Sequence, residues 1–249
     1  SGKLAISTWS AAEVAGGIFV TTGSAVERSG SIDAFVGASL SSEGAGIQLQ
    51  AGTAEKTGGS LSVTTGTGPS SGSLDLRSSP ADEASGDVSL ASGTTGAGNS
   101  GSVDIQSGSA VQSQSGDVLV SSGKANIASG QVTILGGDSY DQGGSLAMRS
   151  GRGFSSGSIL IETADSNPGV SRRDVSKAGS LALAVGDSYN TEGGGISLRA
   201  GSTVDGTGGA VTLVSGSSTT ALDNIHSSGE VDIASADSPS SGMLSLRTG

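Results

Sequence analysis

Hydrophobic and polar positions alternate along most of this chain in one short unit that recurs from end to end. The unit has the form [Ser/Gly/Ala]-Gly-x-h-x-h-x-[Ser/Thr/Ala]-Gly, where h is aliphatic, as in Ser71–Ser78 and Ser85–Gly93. Alternation with a period of two is typical of a half-buried β-strand, and the Gly and Ser residues that follow are typical of a turn. The pattern therefore predicts one strand and one turn per unit.

One anchor residue opens each unit, and it is glycine everywhere except Ala45. The steps between anchors are 13 to 15 residues, apart from the two longer steps 157 to 179 and 209 to 229. The seventeen anchors lie at positions 2, 16, 30, 45, 59, 72, 86, 101, 116, 130, 144, 157, 179, 194, 209, 229 and 242. A small residue follows the two aliphatics, so the inward face is expected to run large, large, small.

Units that lie three apart resemble one another. One family contains Gly137–Tyr140 and Gly186–Tyr189, which share the sequence Gly-Asp-Ser-Tyr, and another contains the two long insertions 164–178 and 217–228. We therefore predict an all-β fold, a right-handed parallel β-helix (β-solenoid) with three strands per coil of roughly 43 residues and roughly 5.7 coils. The alternative is a flattened two-sheet solenoid of roughly 29 residues per coil.

The predicted solenoid is a single domain over residues 1–249, without a polar cap at either end. The alternation is already under way at Leu4 and Ile6, and it is still under way at Leu244 and Leu246. Bare strand edges template pairing with other strands. We therefore expect a segment of a longer array, or copies that stack end to end into a fibre.

Composition and charge narrow the classes of partner. The chain of 249 residues has 44 Gly, no Cys, 2% aromatic residues and a formal net charge of −11. An acidic surface repels phosphate backbones and anionic lipid, so neither nucleic acid nor membrane insertion is expected, whereas cations and neutral glycans remain candidates. Without cysteine the chain has no disulfide framework and no thiolate site.

Three arginines occupy equivalent outward positions in successive coils of the predicted solenoid: Arg149, Arg199 and Arg247. Together they predict a short basic stripe on an acidic protein, suited to an anionic glycan or to an acidic neighbouring subunit. The competing interpretation is solvated surface arginines that pair with Glu162 or Glu192.

The two Gly-Asp-Ser-Tyr sequences predict a corner where Tyr140 stacks on Tyr189, with Asp138 and Asp187 beside them. Stacked rings beside carboxylates suit contact with sugars, and carboxylate oxygens suit Ca²⁺. The competing interpretation is a tyrosine ladder that only closes the corner. No calcium-roll or EF-hand sequence is present, so no cofactor is predicted and Ca²⁺ is the one candidate ion.

The sequence predicts no catalytic residues and no enzyme. His226, the only histidine, lies in an insertion with Asp223, and serine is too common here for a Ser/His/Asp pattern to carry weight. The outward carboxylates Asp33, Asp75, Asp104 and Asp232 are dispersed over the three predicted sides, whereas glycan-cleaving sites need clustered carboxylates. Of these, Asp33 and Asp75 do share a side on neighbouring coils.

These observations predict a non-enzymatic extracellular structural or adhesive protein, a segment of a fibre, coat or surface appendage. Its expected partners are other copies or neighbouring solenoid segments, with glycans and cations as further candidates. The alternatives are a glycan-binding or polysaccharide-acting β-helix and an ice-binding solenoid. Ice binding needs a threonine on every coil, but the face with Thr21 and Thr64 continues as Gln106 and Arg149.

The Ser-Gly-x-h-x-h-x-Ser-Gly units resemble the low-complexity β-solenoid arrays of predicted secreted proteins of algae, diatoms and oomycetes, and of bacterial adhesins. The resemblance covers the whole chain, but its motif is generic. It implies a location at the cell surface or in the extracellular matrix and assigns no functional residue. The long corner insertions depart from the most regular arrays.

Overall fold

The backbone follows the sequence repeat without forming regular secondary structure. The structure is a computed structural model that describes residues 3–11, 13–40, 43–166, 178–189, 192–218 and 227–248. Within those ranges there is no helix and no strand. The chain divides into two compact parts, each of which contains several repeat units: Ser1–Val120 and Ser121–Gly249. Each of the two consists of short extended segments that alternate with loops.

The extended segments are recognisable from their side-chain contacts. Side chains two residues apart lie on the same face only where the backbone is extended. Four pairs with this spacing contact each other: the Ser31 hydroxyl donates to Asp33 Oδ2 (2.7 Å), the Ser102 hydroxyl donates to Asp104 Oδ2 (3.4 Å), Arg247 Nε donates to Ser245 Oγ (3.2 Å), and Arg77 forms an ion pair with Asp75 (3.3 Å). These contacts define a polar face, and the aliphatics of the unit lie on the opposite one.

Bends recur between the units, two to five residues before the anchor glycines. Examples are residues 55–56, 82–83, 126–127 and 204–206. The repeat predicts a turn at each of these places because they lie between the Gly and Ser residues that end one unit and those that open the next. One bend contains the left-handed residue Gly98, whose φ is 97°. The bends therefore lie where the sequence pattern predicts turns, whereas the predicted strands are not formed in the described ranges.

The predicted solenoid is wrong. The described part of the chain contains no sheet, so it contains neither the three-sided coil of a right-handed parallel β-helix nor the flattened two-sheet alternative. Alternation specifies an extended backbone, but it does not specify which segment pairs with which. Loop closure explains the outcome: joining residues roughly 43 apart costs about 1.6 kcal/mol more than joining residues roughly 7 apart. The structure forms backbone hydrogen bonds across loops of a few residues, and in the described ranges it forms no sheet between residues roughly 43 apart.

The chain has no core in its described ranges. No described residue is buried, whether apolar or polar. The accessible surface is 26071 Å², whereas a folded monomer of this mass exposes about 10,000 Å² and its unfolded chain about 34,000 Å². The aliphatics of the units are only half-covered, as at Val103 (45% exposed) and Ile159 (50% exposed).

Candidate interaction surface

One backbone hydrogen bond closes the loop between successive units at six places in the described ranges. In each case the amide of an anchor glycine donates to the carbonyl oxygen of the glycine that ended the preceding unit. The bonds run from Gly59 to Gly52 (2.8 Å), Gly72 to Gly66 (3.3 Å), Gly144 to Gly137 (2.8 Å), Gly157 to Gly151 (3.1 Å), Gly209 to Gly201 (2.9 Å) and Gly229 to Gly216 (2.9 Å). We call this arrangement the glycine closure.

The small residue of the repeat packs against the glycine closure. Within the described ranges, the only residues that are partly covered rather than exposed occupy the small position of the repeat, and five of the seven directly precede a closing acceptor glycine. Those five are Ala51, Thr65, Ser150, Ala200 and Ser215, and the other two are Ser78 and Ser107. A Cβ added to the next anchor glycine would lie 3.4 to 4.0 Å from the Cβ of that small residue. The anchor glycine and the small side chain are therefore within van der Waals reach of each other where the loop ends meet.

The loop that contains Tyr140 closes most tightly. A Cβ on Gly144 would lie 2.8 Å from the amide nitrogen of Gly137, and one on Gly136 would overlap the carbonyl oxygen of Gly144. Here glycine replaces the usual small residue, so two backbone segments approach without any side chain between them. This closure holds the Gly-Asp-Ser-Tyr sequence in a fixed loop.

That loop forms a concave surface at residues singled out by the sequence. A cavity of about 360 Å³ is lined by Asp138, Ser139 and Tyr140. The Ser139 hydroxyl oxygen accepts a hydrogen bond from the amide of Asp141 (3.2 Å), which turns the chain back toward the closure. The described residues that line it are consecutive in the chain and belong to one loop.

The two tyrosines do not stack on each other as predicted. The Tyr140 side chain is 112% exposed and that of Tyr189 is 98% exposed, and two stacked rings would cover part of each other. Asp138 and Asp187 are exposed beside their respective tyrosines. The predicted corner depended on coils stacking, and no described sheet brings those coils together. A surface-binding role for these residues stays a prediction.

The three arginines are not aligned by a sheet either. Arg149 and Arg199 are exposed and form no ion pair with any described residue, so the pairing with Glu162 or Glu192 is not formed. Among the described residues, Arg247 has one polar contact, the hydrogen bond that its Nε donates to Ser245. The described arginines are therefore separate solvated side chains, and a binding role for them also stays a prediction.

The two chain ends of each long insertion meet in the same way as the ends of the ordinary loops, and we call this meeting point the base of the insertion. The base of 217–228 is closed by the bond from Gly229 to Gly216. At the base of 164–178, a Cβ on Gly179 would lie 3.5 Å from Thr163 Cβ. The middle parts of the insertions, 167–177 and 219–226, lie outside the described residues, and so does His226 with its neighbour Asp223.

Large apolar residues lie at the loop tips, and apart from Tyr140 and Tyr189 the sequence reasoning missed them. They lie between the closing glycines and outside the alternating pattern, and they are almost completely exposed: Val26, Leu40, Val111, Ile127, Tyr140, Phe154, Tyr189 and Val204. The signal in the sequence was a bulky apolar side chain where the turn chemistry favours only small or polar residues. We call these residues the loop tips.

Comparison with protein-family models, with curated proteins and with solved structures found no match to this chain. No family is therefore assigned. Among the described residues, no group of three or more His, Asp or Glu side chains is arranged to hold a metal ion. The described part of the chain also has no helix with the length and hydrophobicity that a membrane span requires.

Proposed function

We propose that this chain is a non-enzymatic structural or adhesive protein of the cell surface or extracellular matrix, which acts as a segment of a fibre, coat or appendage. The glycine closure carries the proposal. The same local contact recurs at loops of different length, including the base of 217–228. A repeated unit that closes on itself is suited to building length, since each unit needs only its neighbour.

Exposed aliphatic side chains support self-association as the basis of that role. Soluble monomers rarely expose contiguous apolar surface beyond a few hundred Å², and larger exposure marks interaction sites. In the described ranges every unit leaves its aliphatics at least partly exposed. Association with other copies would remove this surface from water.

The distribution of charged groups argues against catalysis as the role. Catalytic groups must be held in fixed geometry by packing and hydrogen bonds. The described carboxylates and arginines are exposed, and their contacts are with neighbours two residues away, as in the pair Asp75–Arg77. A protein that acts as a spacer or as a surface does not require its charged groups to be held in fixed geometry.

Electron microscopy combined with sedimentation velocity tests the proposal. The purified chain should form elongated assemblies whose mass rises as its concentration is raised from about 1 µM to about 1 mM. Antibodies raised against the loops should label intact source cells without permeabilisation. Monodisperse 23.7 kDa particles throughout this range, or labelling only after permeabilisation, would count against the proposal.

A second candidate function, contact with neutral glycans, is favoured by the concave surface at Tyr140. An exposed ring offers an apolar face with a polar tip, and the adjoining Asp138 carboxylate can accept hydrogen bonds from sugar hydroxyls. Such a surface would let an adhesive segment bind matrix polysaccharide.

A glycan array that compares Tyr140→Ala with Phe154→Ala tests this second candidate. Both side chains are 112% exposed at loop tips, but only Tyr140 lines the described concave surface. Binding to a neutral polysaccharide should fall about tenfold for Tyr140→Ala and should be unchanged for Phe154→Ala. Equal loss in both variants would indicate non-specific apolar contact instead.

A further inference from the structure

The extended segments have backbone groups without protein partners. We define each segment as the five residues after an anchor, such as 102–106 and 158–162. Within the described ranges, the backbone hydrogen bonds join only the glycines of the closures. Each segment therefore presents a free row of N–H and C=O groups along each edge, which is the arrangement that templates pairing with another extended chain.

We propose that the partner of these segments is a second copy of this chain, which pairs with them edge to edge and covers their aliphatic faces. The inference rests on the proposed structural function and names the contact that would build the assembly. The proposed pairing joins segments of two separate chains, and it does not join successive parts of one chain.

The spacing of the repeat favours a second copy over an unrelated partner. Aliphatic pairs such as Val103 and Ile105 recur at steps of 13 to 15 residues, with a closed loop between them. Only a chain with the same alternation of segment and loop presents matching rows at every step. Once one segment is paired, the next is held nearby, so each later pairing proceeds at a high effective concentration.

The available area is sufficient for a stable assembly. The chain exposes 26071 Å², roughly 16,000 Å² more than a folded monomer of its mass. A specific protein–protein interface buries about 1,200–2,000 Å² in total. The surface left open within one chain is several times larger, so it can accommodate copies on both edges of the segments.

The polar face of the segments is compatible with this pairing. Its side chains already contact one another along the same segment, as Ser102 does with Asp104 and Asp75 with Arg77. Those contacts leave the backbone edges unobstructed. They also direct charge away from the aliphatic face, which is the face that a second copy would cover.

The test compares two variants of the full chain that carry equal numbers of apolar-to-serine changes. The segment variant carries Val103→Ser, Ile105→Ser, Ile159→Ser and Ile161→Ser. The tip variant, its matched control, carries Val111→Ser, Ile127→Ser, Phe154→Ser and Val204→Ser, at side chains that are even more exposed. Assembly is followed by sedimentation, and backbone pairing by the amide I band of the infrared spectrum.

The proposal predicts that the β-type amide I signal is absent in dilute protein and grows with concentration together with assembly. The concentration of half-assembly is the protein concentration at which half of the chains are assembled. It should rise at least about tenfold in the segment variant and change less than about twofold in the tip variant. A larger effect in the tip variant would overturn it, and so would a β-type signal that is already present in the monomer. Assembly without any β-type signal would overturn the pairing yet leave the structural function standing, whereas absence of assembly would contradict both.

Discussion

Glycine has two different roles at the residue scale in this chain. At an anchor such as Gly144, it lets two backbone segments approach, because a Cβ would lie 2.8 Å from the amide nitrogen of Gly137. At Gly98 it adopts a φ of 97°, which other residues avoid because their Cβ approaches a carbonyl oxygen. The first role is steric and the second is conformational, so substitutions can separate them.

Gly144→Ala should break the closure of the Tyr140 loop, and Gly137→Ala should not. The added methyl at Gly144 meets backbone that must shift, whereas a Cβ on Gly137 meets nothing within 4 Å. A single hydrogen bond with a net stabilisation of about 0.5–1.5 kcal/mol slows amide exchange about two- to tenfold. NMR-detected exchange should show this protection at the residue-144 amide in wild type and Gly137→Ala, and its loss in Gly144→Ala. Equal exchange in all three proteins would contradict the closure.

Gly98→Ala should disturb its loop while Gly96→Ala leaves it unchanged. Both positions are open to a Cβ, but only Gly98 has a positive φ, and an L-residue there costs about 1–2 kcal/mol. The loop is held by the Thr95 hydroxyl, which donates to the carbonyl of Ala97 (2.9 Å) and accepts from its amide (3.3 Å). The Ala97 amide should lose its exchange protection only in Gly98→Ala. Loss in both variants would show that chain stiffness, and not φ, is responsible.

At the element scale, the sequence predicts where each repeat unit bends. It does not predict which other segment that unit contacts. The bends before anchors such as Gly59 and Gly86 follow from turn chemistry, which acts over a few residues. The small residue of each unit was predicted as an inward position, and Ser107 is indeed partly covered, but by the next anchor and not by a coil above it. Similar sequences three units apart do not require contact in space, which is why the stacked coils were wrong.

The candidate site shows the same limit of prediction from sequence. Asp138, Ser139 and Tyr140 of the first Gly-Asp-Ser-Tyr sequence line a concave surface, and these residues are consecutive in the chain. The stacking of Tyr140 on Tyr189 depended on residues 49 positions apart, and both rings are exposed. The other loop tips were overlooked because residues such as Val111 and Phe154 lie outside the alternation that identified the segments.

Charge sets the conditions for assembly at the scale of the whole molecule. With 23 acidic and 12 basic residues, copies of the chain repel one another at pH 7. Raising the ionic strength from about 0.01 M to about 0.15 M shortens the screening length from about 30 Å to about 8 Å. Sodium chloride over this range should therefore lower the concentration of half-assembly measured by sedimentation.

Acidification should act in the same direction, because net charge approaches zero near the pI of about 4.3. Light scattering during a titration from pH 7 should rise as this value is approached and fall again below it. If added salt weakened assembly, and if light scattering passed through a minimum near the pI, the result would contradict this account. It would show that ion pairs, and not the aliphatic faces, hold the copies together.

The central claim is that the glycine closures are local contacts between neighbouring units and leave the extended segments free for a partner. Residue-resolved hydrogen exchange on dilute, monomeric protein tests it most directly. The account predicts slowed exchange at the anchor amides of Gly59, Gly144 and Gly209, and unprotected exchange throughout segments such as 102–106 and 158–162. Strong protection within those segments in the monomer would reveal an internal sheet and would contradict the account.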